Sequence, residues 1–283
     1  MPSLQLLNRE QAILEFNRRV LAQAQRTDVP LLERLRYICI VSSNLDEFFE
    51  VRFADMLDAL RDGSGLVSSR DVERVGRAAH DLIDQQYAIF NEQVMPVLQG
   101  EGIQILNHAD RNALQRAWVT RFFEREVRPL LMPVSLDPAH PFPYISGLSL
   151  NLAVILVNPK TGQEPFARVK VPPLLPRLLR VDAGTDAAAE IWNARFVPLE
   201  DVIAAHLGEL FPGMEVREHF TFRVTRNEDV EVEEDDAENL LYALEQELLR
   251  RKVGRPPVRL EVEDDIDDKM LDLLVSELDI GEK

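Results

Sequence analysis

The sequence predicts an α+β protein. An all-helical bundle occupies residues 1–102, and residues 103–283 form a domain in which helices pack on a mixed or antiparallel sheet. Three observations carry this reading. Apolar residues recur at steps of three and four through residues 8–99, the period of a helix with one buried face. After Gln99-Gly100-Glu101-Gly102 the period shortens toward two, as in Leu148–Val157 and Phe166–Val171. The later strands and helices do not alternate in the regular way of a parallel sheet. With 283 residues, 46% of them apolar, the chain has room for about two domains with cores of their own.

Residues 8–26 read as an amphipathic helix, with Asn8 as its cap and Ile13, Phe16 or Asn17, Val20 and Ala24 on one face. Thr27-Asp28-Val29-Pro30 stops it, and proline suits the first turn of the next helix. Residues 31–41 and 44–61 form one long helix or two abutting ones. The polar knot Ser42-Ser43-Asn44 lies between them, where Ser43 or Asn44 can cap a helix whose first turn holds Asp46 and Glu47. Phe49, Phe53, Met56 and Leu60 then mark a buried face. Asp62-Gly63-Ser64-Gly65 is a loop. Residues 70–99 are helical, with Val75, Ala79, Leu82, Tyr87 or Ala88, Phe90 and Val94 facing the core. Three long helices on short loops imply a small bundle.

In the second domain Ile103–Leu106 reads as a short strand and 110–128 as a helix lined by Arg111, Arg116, Arg121, Arg125 and Arg128, which read as a solvated face. The proline-rich run 129–143 reads as loop throughout. Leu148–Val157 and Pro165–Val171 form a hairpin, and Arg168 and Lys170 share one of its faces as a small basic pair. Strands follow at 191–197, 219–226 and 258–263. Helices follow from Pro198, over 236–252 and over 267–278.

Composition excludes several classes. The net charge is −17, and residues 227–283 alone carry 7 basic against 20 acidic groups. Such a chain is a poor general binder of nucleic acid, and a polyanion site here must be a local cluster of cations. No apolar run approaches the roughly 20 residues of a membrane span, and the opening Met-Pro-Ser-Leu-Gln has no export signal, so a cytoplasmic location is expected. Cys39, the single cysteine, sits between Ile38 and Ile40 and reads as a buried thiol. There is no phosphate-cradling glycine loop, no histidine cluster and no nucleophile elbow. His80 has no partner at metal-ligand spacing, and His140, alone among prolines, reads as packed in place.

Four stretches together carry a resemblance: Asn8-Arg9-Glu10 with Leu14–Leu21, then Ser42-Ser43-Asn44-Leu45-Asp46-Glu47-Phe48-Phe49, then Asp137–Pro143, then Phe222–Asn227. In this order they resemble the polyphosphate kinases, and they cover nearly the whole chain. One departure is Gln11-Ala12-Ile13, where Leu-Ser-Trp is common in the family. The resemblance implies an enzyme that transfers the terminal phosphate of ATP to inorganic polyphosphate. It implies that Asn44 contacts ATP, since an amide offers both donors and an acceptor. It further implies a homo-oligomer (dimer or tetramer) braced by the second domain. The phosphohistidine and the Mg2+ ligands would lie in C-terminal domains that this chain does not match, so residues 1–283 alone are expected to be inactive. Arg168 and Lys170 are candidate phosphate contacts, while no catalytic residue or metal ligand is assigned in this chain. The alternative is a short non-catalytic interaction or regulatory module with the same two domains.

Overall fold

The computed structural model describes residues 8–63, 65–135, 142–181, 194–228 and 255–281. It divides into two compact units. One comprises 1–97 with 225–259 and 281–283; the other comprises 98–224 with 260–280.

The first unit is helical. Helix α1 (Arg9–Ala24) starts at Asn8, whose side chain accepts from the Gln11 N–H at 2.8 Å. Its buried row is Leu14, Asn17, Leu21 and Ala24, so of the two residues that fit the spacing the amide goes in and Phe16 stays half-exposed. Helix α2 (Leu31–Glu47) begins after Pro30 and buries Ile38, Val41 and Leu45. It does not end at the polar knot. The backbone passes through a π turn (Phe48–Phe53) into α3 (Ala54–Arg61), and Glu47, Phe48, Phe53 and Ala54 are all right-handed helical. Ser43 and Asn44 therefore cap nothing: they lie inside a helix whose backbone hydrogen bonds are already made. Cys39 is exposed rather than buried, because Ile38 and Val41 take the inner face and leave residues 39 and 40 outside.

Helix α4 (Ser69–Ile89) is closed at its start by a capping box, Ser68 and Asp71 satisfying each other's backbone N–H. It continues through a π turn (Phe90–Val94) into α5 (Met95–Gly100). Val75, Ala79, Leu82, Gln86, Ile89 and Val94 are buried, while Tyr87 is exposed. The core row thus passes through Gln86, not through Tyr87 or Ala88.

The second unit is built on two sheets. The smaller orders β1 (Gln104–Ile105), β6 (Arg195–Pro198) and β5 (Leu178–Arg180), with β1 and β6 parallel and β5 and β6 antiparallel. The larger runs β2 (Val134–Ser135), β4 (Phe166–Lys170), β3 (Leu150–Val157), β7 (Glu215–Arg226) and β8 (Pro257–Val262). The β2–β4, β3–β4 and β3–β7 pairs are antiparallel, with a bulge between Ile155 and Leu156. Strand β2 falls in the proline-rich run expected to be loop throughout: Val134 and Ser135 are followed by no proline until Pro138, which leaves two residues free to pair with β4.

Both faces of the β3–β4 hairpin are covered, which explains why β3 turns wholly apolar. On one face Leu152, Val154, Leu156, Ala167 and Val169 share a core with Val119, Phe123 and Val127. Those three come from α6 (Ala113–Phe122) and the π turn after it (Phe123–Val127). The same core takes Leu199, Val202 and Ile203 of α7 (Leu199–Ala204) and Leu207 of α8 (Leu207–Leu210). On the other face Ala153, Phe166, Phe220 and Phe222 meet Met270, Leu274 and Leu278 of α9 (Asp268–Leu278). The helix expected over 236–252 and most of the motif 137–143 lie outside the described residues.

Candidate nucleotide-contacting site

Asn44 sits on the last turn of α2 with its side chain half-exposed. Its Nδ2 donates to Oδ1 of Asn17 on α1 at 2.7 Å, and Asn17 Nδ2 donates in turn to the Ile13 carbonyl at 3.0 Å. Asn17 is 1% exposed, so this amide is spent inside the bundle, whereas Asn44 reaches the surface. The helix beneath is braced from a second side. Gln86 Nε2 on α4 donates to the Ile38 carbonyl at 2.8 Å and to Ser42 Oγ at 2.7 Å. Arg34, also buried, donates from Nε to the Ala24 carbonyl at 2.6 Å. Directly C-terminal to Asn44, Phe48 and Phe49 are buried and pack edge to face at 5.5 Å. Phe53 adds a third ring 5.4 Å from Phe49. The guanidinium of Arg259 lies 4.7 Å from the centre of the Phe49 ring. The polar knot is thus followed directly by a cluster of aromatic rings at the π turn. π turns of this kind are frequent at functional sites.

Arg168 and Lys170 share one face of β4, as the alternation requires, and both reach the turn that follows residue 142. Arg168 Nη1 donates to the Tyr144 carbonyl at 3.2 Å, and Lys170 Nζ donates to Ser146 Oγ at 2.8 Å. Burial lowers the Arg168 pKa, and its Nε is buried without a partner among the described residues. Beside them Asn151, fully buried, donates from Nδ2 to the Ser149 carbonyl at 2.8 Å. Leu148, in the same turn, has φ of 55°, a left-handed conformation costly for a branched side chain. Its N–H is held by the Val224 carbonyl at 2.8 Å. The basic pair therefore supports a strained turn, and each cation keeps further donors beyond the one it spends there.

The five arginines around α6 separate. Arg116, Arg121, Arg125 and Arg128 are exposed, as a solvated face should be. Arg111 is not on the helix. It lies two residues before α6, 2% exposed, with Nη2 3.2 Å from Asp201 Oδ2 on α7. Burial lowers the Arg111 pKa and raises that of Asp201, and the attraction between them opposes both shifts without cancelling either. No pattern of spacing marks Arg111 as different from its neighbours. His80 is exposed, and His140 lies outside the described residues. Among the described residues no group of three or more His, Cys, Asp or Glu side chains could hold a metal ion, and no helix is long and apolar enough to cross a membrane.

Comparison with known proteins agrees along the chain. Residues 6–106 match the polyphosphate kinase N-terminal domain, and residues 114–283 match the polyphosphate kinase middle domain. A polyphosphate kinase of Streptomyces coelicolor is 52% identical over 288 residues, covering all of this chain and 37% of that protein. One of Mycobacterium tuberculosis is 46% identical over 291 residues, covering 99% of this chain and 39% of that protein. The crystal structure of polyphosphate kinase from Porphyromonas gingivalis superposes with a TM-score of 0.77 at 27% identity, over 97% of this chain and 38% of that one. The chain spans less than two-fifths of the length of these relatives. The Asn17–Asn44 pair joins two of the stretches that carry the resemblance, both within the residues that match the N-terminal domain, and on all these grounds the chain belongs to the polyphosphate kinase family.

Proposed function

We propose that residues 1–283 act as the nucleotide-contacting front part of a polyphosphate kinase, an enzyme that transfers the terminal phosphate of ATP to inorganic polyphosphate. The observation that carries this reading is Asn44. Its amide is held at the surface of a braced helix, with Oδ1 making no hydrogen bond among the described residues. A surface amide fixed in place loses little entropy when a ligand arrives. Arg168 and Lys170 are proposed as phosphate contacts, supported by the donors each retains after binding the turn.

In this reading the phosphohistidine and the Mg2+ ligands belong to regions of the relatives that the matched segment does not include. Phosphoryl transfer depends on positioning and on charge neutralisation, normally by a metal and basic groups, so residues 1–283 alone are inactive. A homo-oligomer braced by the second unit, and a cytoplasmic location, are parts of the same proposal.

The test is a transfer assay on the whole native polypeptide and on purified 1–283. The native polypeptide makes polymer from ATP, and the 1–283 chain makes none. Asn44→Ala in the native polypeptide raises KM for ATP about tenfold, the weight of one good hydrogen bond. Polymer made by 1–283 alone, or an unchanged KM in Asn44→Ala, refutes the corresponding part. The mass of the native protein in cell extract separates this reading from a short non-catalytic module: the module requires a band at 32.3 kDa.

A further inference from the structure

The amide of Asn44 is oriented from behind. Asn17 Nδ2 lies 3.0 Å from the Ile13 carbonyl, one turn back on the same helix. A carbonyl oxygen only accepts, so the nitrogen of Asn17 must face it and Oδ1 of Asn17 must face the other way. That oxygen is 2.7 Å from Asn44, and an oxygen only accepts, so Asn44 must present its Nδ2 there. A reversed Asn44 would set two lone-pair-bearing oxygens in contact inside a site where Asn17 is 1% exposed. The chain of donors from Asn44 through Asn17 to the Ile13 carbonyl thus has one direction. It leaves Asn44 Oδ1, a pure acceptor, beside the second N–H of Nδ2 on the free side of a half-exposed side chain.

We infer that Asn17 is the positioning residue for Asn44, and that the nucleotide group met by Asn44 Oδ1 is a hydrogen-bond donor, the 6-amino group of the base or a ribose hydroxyl, and not a phosphate oxygen. The inference rests on the proposed contact between Asn44 and ATP and specifies its chemistry. Phosphate oxygens carry negative charge and accept only, so they are repelled by an exposed carbonyl oxygen. An amino or hydroxyl group satisfies it, and a site built to bond such a group discriminates against an analogue that lacks it.

The experiment measures KM and kcat of the whole native polypeptide with four nucleotides: ATP, the purine riboside triphosphate that lacks the 6-amino group, 2′-deoxy-ATP and 3′-deoxy-ATP. One of the three analogues is expected to show KM raised about tenfold at unchanged kcat, which identifies the donor. Asn44→Ala removes that discrimination, so that ATP and the selected analogue become equivalent. Asn17→Ala, which touches no nucleotide, loses the same discrimination, and Asn17→Asp, which in this buried place is neutral and so keeps an O–H toward the Ile13 carbonyl and an acceptor oxygen toward Asn44, retains it.

Three failures are distinguishable. If Asn44→Ala leaves KM for ATP unchanged, the contact itself is absent and the inference falls with it. If Asn44→Ala weakens ATP and all three analogues equally, and the unsubstituted protein treats all four alike, the contact stands but its donor assignment is overturned. An Asn17→Ala variant that discriminates as the unsubstituted protein does overturns the positioning role. Should Asn17→Ala fail to fold, the analogue series on the native protein and on Asn44→Ala decides the donor, and Asn17→Asp, with native circular dichroism, decides the positioning: loss of discrimination in that folded variant overturns it.

Discussion

Replacing Arg111 and Asp201 together by apolar residues of similar volume, Arg111→Met with Asp201→Leu, is expected to stabilise the second unit. The pair makes one bond, Nη2 to Oδ2 at 3.2 Å. The Arg111 side chain is 1% exposed and that of Asp201 34%, while Nε and Nη1 of Arg111 are buried without partners among the described residues. A hydrogen bond to a charged group returns about 1.5–3 kcal/mol, and each orphaned buried donor costs about 1–3 kcal/mol. Two orphans against one bond leave the pair net unfavourable. Water at the partly exposed Asp201 screens part of the imbalance, so the gain from replacement is about 1–2 kcal/mol. In a unit of this size that raises Tm by about 2–8 °C. Either single replacement is less stable than the double, because it leaves one charge without its partner. Urea unfolding followed by circular dichroism gives the four corners of the cycle, provided m is unchanged. The pH dependence has a definite sign. Burial raises the folded pKa of Asp201 above its unfolded value, so the native state binds the proton more readily. The cost of this group is complete above the folded pKa and is relieved as pH falls through that value toward the unfolded one. The double variant lacks that relief. A double variant that melts below the native protein would refute the reasoning.

Three further outcomes follow from packing and exposure. Phe123 is fully buried and stacks on His206 at 4.2 Å, so Phe123→Ala should cost about 3–5 kcal/mol in urea unfolding; a cost below about 1 kcal/mol would mean that the core collapses around the gap. Gln86→Ala removes two donated bonds to α2 and should cost about 1–2 kcal/mol, read in the unfolding of the helical unit. Cys39 is exposed and should take up one equivalent of a maleimide without denaturant, whereas labelling only in urea would return it to the buried class.

Much of the fold is legible in the sequence because its elements are long and periodic. Helices α1, α2 and α4, the β3–β4 hairpin and α9 all follow from the spacing of apolar residues alone. What spacing misses is the polar content of the interior. At positions 16 and 17 a ring and an amide fit the same helical step, and a rule that sends apolar groups inward selects Phe16. The fold selects Asn17, because its amide finds Asn44 27 residues away and its nitrogen finds the Ile13 carbonyl. At positions 86 to 88 the same rule selects Tyr87 or Ala88, and the fold selects Gln86, which finds Ile38 and Ser42. Arg111 is hidden in the same way: it reads as one of five arginines on a solvated face, and only the position of Asp201, 90 residues on, explains its burial. In each case a buried polar group is tolerable only with a partner, and the partner is distant in sequence.

The site shows what these non-local pairs accomplish. Two of the four stretches that carry the family resemblance, Leu14–Leu21 and Ser42–Phe49, lie apart in the chain, and the sequence offers no reason why they should go together. The hydrogen bond from Asn44 to Asn17 supplies one. A solvent-facing asparagine is free to rotate, and either end of its amide can meet a ligand. Once α1 buries a second asparagine against it, with its own nitrogen already committed to the Ile13 carbonyl, only one orientation remains, and Asn44 presents its Oδ1 in a fixed direction. The bundle is therefore more than a platform for the motif on α2, because α1 determines which way the Asn44 amide faces.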